Sequence, residues 1–80
     1  MIAVIKVEPI ENFNLLLTFS NGEVKVFDMK PYLTHGIFIQ LSNIDIFNSV
    51  KISFDSIEWS NGADICPDVL YNESQPAVFV

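Results

Sequence analysis

Arginine does not occur in this sequence, and only four lysines oppose ten acidic residues, which gives a formal net charge of −6. Arginine supplies most bidentate contacts to guanine and to phosphate, so direct nucleic-acid binding is not expected. Cysteine occurs once, at Cys66, and a disulfide within the chain is therefore excluded. Stretches such as Leu15-Leu16-Leu17 and Ile37-Phe38-Ile39 fall far short of the ~20 apolar residues that cross a bilayer, so no membrane partner is expected. The opening Met1-Ile2-Ala3-Val4-Ile5-Lys6 lacks the three regions of a secretory signal, and the expected location is the cytoplasm. Histidine is also single: His35 is the one base active near neutral pH that a hydrolytic set could use.

What is abundant is apolar. Half of the 80 residues are hydrophobic, and mean hydropathy is +0.37. A single domain of this length buries only about 60–65% of its unfolded surface. Side chains left outside predict a surface intended for a partner. Small domains commonly add stability through disulfides, metals or oligomerisation, and here the first is gone. The charge is uneven as well, since Asp55, Glu58, Asp64, Asp68 and Glu73 follow Lys51 with no base among them. Such a stretch reads as a solvated face or as a docking surface for a basic partner.

Along the chain, the alternation from Ala3 to Pro9 predicts a strand that Pro9 ends or places at an edge. Asn14 to Ser20 and Glu23 to Asp28 flank Asn21-Gly22, a strong signal for a two-residue hairpin loop. In that register Phe19 faces Val24 and Leu17 faces Val26 toward the core, while Thr18 faces Lys25 and Leu16 faces Phe27 on the other side. Lys30 to Gly36 predicts a helical turn begun at Asp28 or Met29, with His35 at its carboxyl end. Ser42-Asn43 is suited to cap a helix through Asn48, with Asp45 in its first turn and Leu41, Ile44 and Phe47 inward.

Val50 to Phe54 predicts another strand. A second hairpin follows about Asn61-Gly62, in which Trp59 faces Asp64 and Ile57 faces Cys66. Pro67 suits the first position of a helix to about Asn72, with Cys66 at the cap, and the tail to Val80 reads as extended. The expected fold class is a small two-layer α+β domain spanning residues 1–80: an antiparallel sheet from two Asn-Gly hairpins with short helices. The expected core is Phe19, Leu17, Val26, Phe47, Ile57 and Trp59.

Catalytic constellations are sparse. Pairing His35 with Cys66 as a dyad finds no support in the spacing. Asp64 and Asp68 with Glu58 or Glu73 offer oxygen ligands, yet no loop alternates as a calcium loop does. Their structural roles read more simply, Asp64 accepting the Trp59 indole N–H or bonding the turn backbone and Asp68 complementing the helix start. Gly22 and Gly62 belong to hairpins and to no phosphate loop. No catalytic residue, metal or cofactor is assigned.

The run Trp59-Ser60-Asn61-Gly62-Ala63-Asp64-Ile65-Cys66-Pro67-Asp68-Val69-Leu70-Tyr71 resembles the carboxyl-end signature of the small bacterial proteins known as domain of unknown function 2442. Phe19-Ser20-Asn21-Gly22-Glu23, Asp28, Tyr32-Leu33, Phe38, Leu41 and Phe47 also fit that family. Ser60 and Cys66 stand where the family often has proline and aspartate. The resemblance implies a compact α+β fold, no agreed activity, and regulation or toxin-antitoxin pairing by association.

The expected function is thus a non-enzymatic interaction or regulatory module, a homodimer or the partner of another small protein. Its interaction face is placed on Leu16 and Phe27, extended by Ile2, Val4 and the tail Val78-Phe79-Val80. The tail could pair with a neighbouring subunit or fold back on its own sheet. The alternative is a small ligand-binding domain or enzyme with a pocket near Trp59, Asp64 and Tyr71.

Overall fold

The computed structural model describes residues 2–77. It is a small α+β fold of two antiparallel sheets joined by short helical segments. The first sheet comprises β1 (Val4–Ile10), β2 (Asn14–Phe19), β3 (Val24–Asp28) and β7 (Gln75–Pro76), in that spatial order. The second comprises β4 (Lys51–Ser53), β5 (Ser56–Glu58) and β6 (Asp64–Ile65). Val4 N–H donates to the Asp55 carbonyl at 2.9 Å and stitches one sheet to the other. Pro9 is tolerated inside β1 because that strand lies at the sheet edge.

Both Asn-Gly hairpins form, one residue out of the expected register. Thr18 pairs with Val24, Leu17 with Lys25, Leu16 with Val26 and Leu15 with Phe27. In the second hairpin Glu58 pairs with Asp64 and Ile57 with Ile65. Each loop has three residues. Gly22 N–H donates to Phe19 O at 2.9 Å and Phe19 N–H to Glu23 O at 2.9 Å. Gly62 N–H likewise donates to Trp59 O at 3.0 Å, and Trp59 N–H to Ala63 O at 2.8 Å. The geometry is an ordinary turn followed by a left-handed residue, and Gly22 and Gly62, both at φ +89°, supply it. Asn21 and Asn61 are not in the left-handed region that a two-residue loop would demand. Their Oδ1 atoms instead accept the Glu23 and Ala63 N–H groups, each at 3.0 Å, and so brace the bulge.

A one-residue slip reverses every side chain of the returning strand. Phe27, expected outside, is 1% exposed, and Val26, expected in the core, is half-buried. The other expected core members, Leu17, Phe19, Phe47, Ile57 and Trp59, are all buried, with Leu15, Met29, Leu41 and Leu70 among them.

The genuine two-residue loop lies elsewhere. Ser53 pairs with Ser56 across Phe54-Asp55, whose φ angles are +49° and +65°. The alternation from Val50 predicts strand through Phe54, and the loop interrupts it there.

Between the sheets the chain runs through short helical pieces. A 3₁₀ turn at Lys30–Tyr32 starts where Lys30 N–H donates to Asp28 Oδ1 at 2.9 Å. A longer 3₁₀ segment, Gly36–Ser42, was not foreseen, and Gly36 opens it where a helix end was expected. Its three-residue period turns Phe38 and Leu41 inward together. Helix α1 (Ile44–Phe47) is capped as expected, Asn43 Oδ1 accepting from Asp45 N–H at 2.9 Å. Phe47 is buried, but Ile44 points out at 50% exposure. Helix α2 (Pro67–Glu73) begins with proline at its first turn and Asp68 beside it. The chain then turns back onto its own first sheet, Val26 pairing with Gln75 and Ala77 N–H donating to Val24 O at 3.0 Å. The expectation for Val78, Phe79 and Val80 lies outside the described residues.

Candidate functional site

The register divides the interaction face expected of Leu16 and Phe27. Leu16 lies in the outer row Glu8, Leu16, Val26, Gln75, half-buried with Val26 between polar ends. Phe27 lies on the opposite side, its ring tilted 31° against Tyr32 at 5.6 Å. Val4, expected to extend the outer surface, is buried, and Ile2 packs partly buried against the core.

Trp59, Asp64 and Tyr71 are likewise in three different settings. The Trp59 ring is core, edge-on to Phe38 at 6.4 Å, and its Nε1 donates to the Phe47 carbonyl at 3.0 Å rather than to Asp64. Asp64 is exposed on β6 opposite Glu58, lining a cleft of about 390 Å³ with Ser53, Phe54 and Cys66. Tyr71 belongs to the other side of α2, edge-on to Phe19 at 5.1 Å, lining a hollow of about 470 Å³ with Glu23, Val24, Lys25 and Pro76. Lys25 Nζ lies 4.1 Å from the Tyr71 ring centre and donates to its backbone carbonyl at 2.6 Å. The bond to Glu23 pushes the Tyr71 hydroxyl up from its ordinary value.

Two other titratable groups, Tyr32 and Asp28, join parts of the scaffold. Tyr32 donates its hydroxyl to Glu73, which ties the first 3₁₀ turn to the end of α2 and pushes Tyr32 up to about 12. Slight burial acts upward on Asp28, but the Lys30 N–H and ammonium hold it below 3.8. Cys66 is exposed at the α2 cap and makes no side-chain capping bond. His35 is exposed just before Gly36–Ser42, beyond the end of the first 3₁₀ turn. Among the described residues no group of three or more His, Cys, Asp or Glu gathers for a metal. No helix among them is long and apolar enough to cross a membrane.

What stands out is apolar and solvent-facing. Ile37, Ile39 and Ile44 are about half exposed on the Gly36–Ser42 segment and the start of α1. Ile5, Ile52 and Phe54 are exposed about the junction of the two sheets, and Phe54 reaches 99%. Hydropathy predicted an apolar surface without locating it. A fixed two-residue spacing between the Ser53 and Ser56 strands was the available signal, hidden because phenylalanine is a poor left-handed residue.

Two short sheets, edge to edge and closed by brief helices over one apolar core, define a small α+β class with exposed apolar side chains. The family model described as "Protein of unknown function (DUF2442)" matches residues 4–76, and the chain belongs to that family. No curated protein and no solved structure matches it.

Proposed function

We propose that the protein is a cytoplasmic, non-enzymatic module that acts by association, as a homodimer or as the regulatory or toxin-antitoxin-type partner of another small protein. The observation that carries this reading is Phe54. Its left-handed backbone costs about 1–2 kcal/mol for a residue with a Cβ. Its side chain, 99% exposed, gains nothing from the core in return. Strain without compensation inside the fold points to contacts made outside it.

The test is affinity isolation of the full chain from its own cells, beside Phe54→Ser. The wild type is expected to bring down a stoichiometric protein that the variant loses. Equal recovery of a second protein by both, or the chain alone and monomeric from both, would overturn the reading.

A second reading, a ligand-binding domain or enzyme, has the cleft beside Asp64 in its favour. It would have to work without Trp59, which is sealed in the core, and without Tyr71, which lines the other hollow.

A further inference from the structure

The cleft beside Asp64 joins an exposed aromatic ring to carboxylates that the fold leaves without counter-charge. Phe54, 99% exposed in the two-residue loop, and Pro67 at the start of α2 line it together with the buried Ile57 and Ile65. Its buried polar atoms are already engaged. Ser56 donates its hydroxyl to the Ile65 carbonyl, and among the described residues no buried side-chain nitrogen or oxygen lacks a partner.

What remains open is charge. Glu58 and Asp64 line the cleft from directly opposed positions on β5 and β6, and Asp55 adjoins Phe54. Like charges facing each other across two strands weaken a sheet. Lys51 stands opposite Glu58 on β4, but β6 is the edge strand, so no further strand brings a base to Asp64. Among the described residues the one ion pair joins Lys30 to Asp28, and no group of three or more His, Cys, Asp or Glu gathers for a metal.

We infer that this cleft docks a basic segment of a partner protein, an arginine with apolar neighbours. This inference rests on the reading of the protein as an association module and specifies the partner's chemistry. A guanidinium stacks flat on an aromatic ring and offers its N–H groups to carboxylates in pairs, so one arginine answers Phe54, Glu58 and Asp64 together. The cleft, about 390 Å³, lies near the lower end of the roughly 300–1,000 Å³ of ligand sites, which suits one or two side chains and no folded element. The net charge of −6 draws a basic partner from a distance. A second copy of this chain is a poor occupant. It has no arginine and sets ten acids against four lysines. Of those lysines, Lys25 is held by the Tyr71 carbonyl and Lys30 by Asp28 and the Asn12 carbonyl.

The test is a titration of the full chain with the peptide acetyl-Leu-Arg-Leu-amide, followed by the backbone amide resonances of Phe54, Asp64 and Cys66. Glu58→Gln with Asp64→Asn removes the cleft carboxylates, and Glu8→Gln with Glu11→Gln removes the same charge from exposed positions on β1 and the turn after it. Near-ultraviolet circular dichroism confirms that each variant is folded. The peptide is expected to move the three cleft resonances. The cleft double variant is expected to bind it roughly fivefold more weakly, about 1 kcal/mol for two exposed pairs, and the Glu8 and Glu11 variant nearly as the wild type does. Phe54→Ser, and citrulline in place of the peptide's arginine, are expected to weaken binding as well, and added salt to weaken it further. Unmoved cleft resonances would overturn the inference, as would a citrulline peptide or spermidine bound as tightly as the arginine peptide. Equal weakening in the two double variants would overturn it too, since that marks attraction to net charge alone. A chain that ignores the peptide yet recovers a Phe54-dependent protein from cells would refute the basic occupant alone. Equal recovery of a second protein by wild type and Phe54→Ser would refute the reading beneath it.

Discussion

The indole Nε1 of Trp59 donates to the carbonyl oxygen of Phe47 at 3.0 Å, fastening the second hairpin to helix α1 inside the core. Phe47 in turn meets Phe13 edge-on at 5.1 Å, so one side chain links the second sheet to the loop that joins β1 to β2. Truncating Trp59 to alanine is expected to cost about 3–5 kcal/mol, enough to unfold a marginal domain. Trp59→Phe keeps most of the volume and loses the bond, so it should cost less. Urea denaturation would check the order, and a Trp59→Phe protein as stable as the wild type would deny the bond a role.

The loops give a prediction with opposite signs. Gly22→Ala and Gly62→Ala each force a Cβ into the left-handed region, with no atom within 4 Å to clash, so strain is the whole cost. Each should destabilise by about 1–2 kcal/mol. Replacing Phe54-Asp55 by Asn-Gly does the reverse, placing residues suited to a two-residue loop at φ +49° and +65°. That double variant is expected to gain about 1 kcal/mol in stability and to lose the partner that Phe54 recruits. Denaturation midpoints together with affinity isolation would show whether stability and binding trade as described.

These loops also mark what could be read in the sequence. Asn-Gly located both hairpins but did not fix their length, because the pair also serves a three-residue loop in which asparagine braces the turn with its side chain. The α+β class, the Asn43 and Pro67 helix starts and five of the expected core side chains were legible, since capping and alternation are local effects. The register of β3 was not, and with it the apparent face of Leu16 and Phe27 disappeared. Gly36–Ser42 escaped because a three-residue period leaves no helical stripe in so short a run. The exposure of Phe54 is a tertiary fact that no local pattern encodes.

Alkaline pH tests the link between Tyr32 and Glu73. The hydroxyl loses its proton at about 12 in the folded chain against 10.0 when free, so the folded state holds the proton more tightly. The stability this adds is complete below pH 10.0 and is lost as pH rises toward 12. Tyr32→Phe should therefore be less stable at neutral pH and should show a shallower decline across that window. Parallel curves for the two proteins, followed by tryptophan fluorescence, would contradict the assignment.

Cys66 occupies the α2 cap without a side-chain bond. Cys66→Asp should stabilise by about 0.5–1 kcal/mol through a side-chain cap. Asp64 and Asp68 nearby oppose the added charge, so the gain should grow with salt. A clear loss in thermal denaturation would show that the thiol contributes packing instead.

The account stands most directly on what the chain is joined to. Native mass spectrometry of the untagged protein, isolated at its natural abundance from its own cells, reads this without a variant. The account predicts species heavier than the 9.0 kDa chain, a dimer or a complex with a second small protein. A single species at 9.0 kDa over the whole accessible concentration range would contradict it.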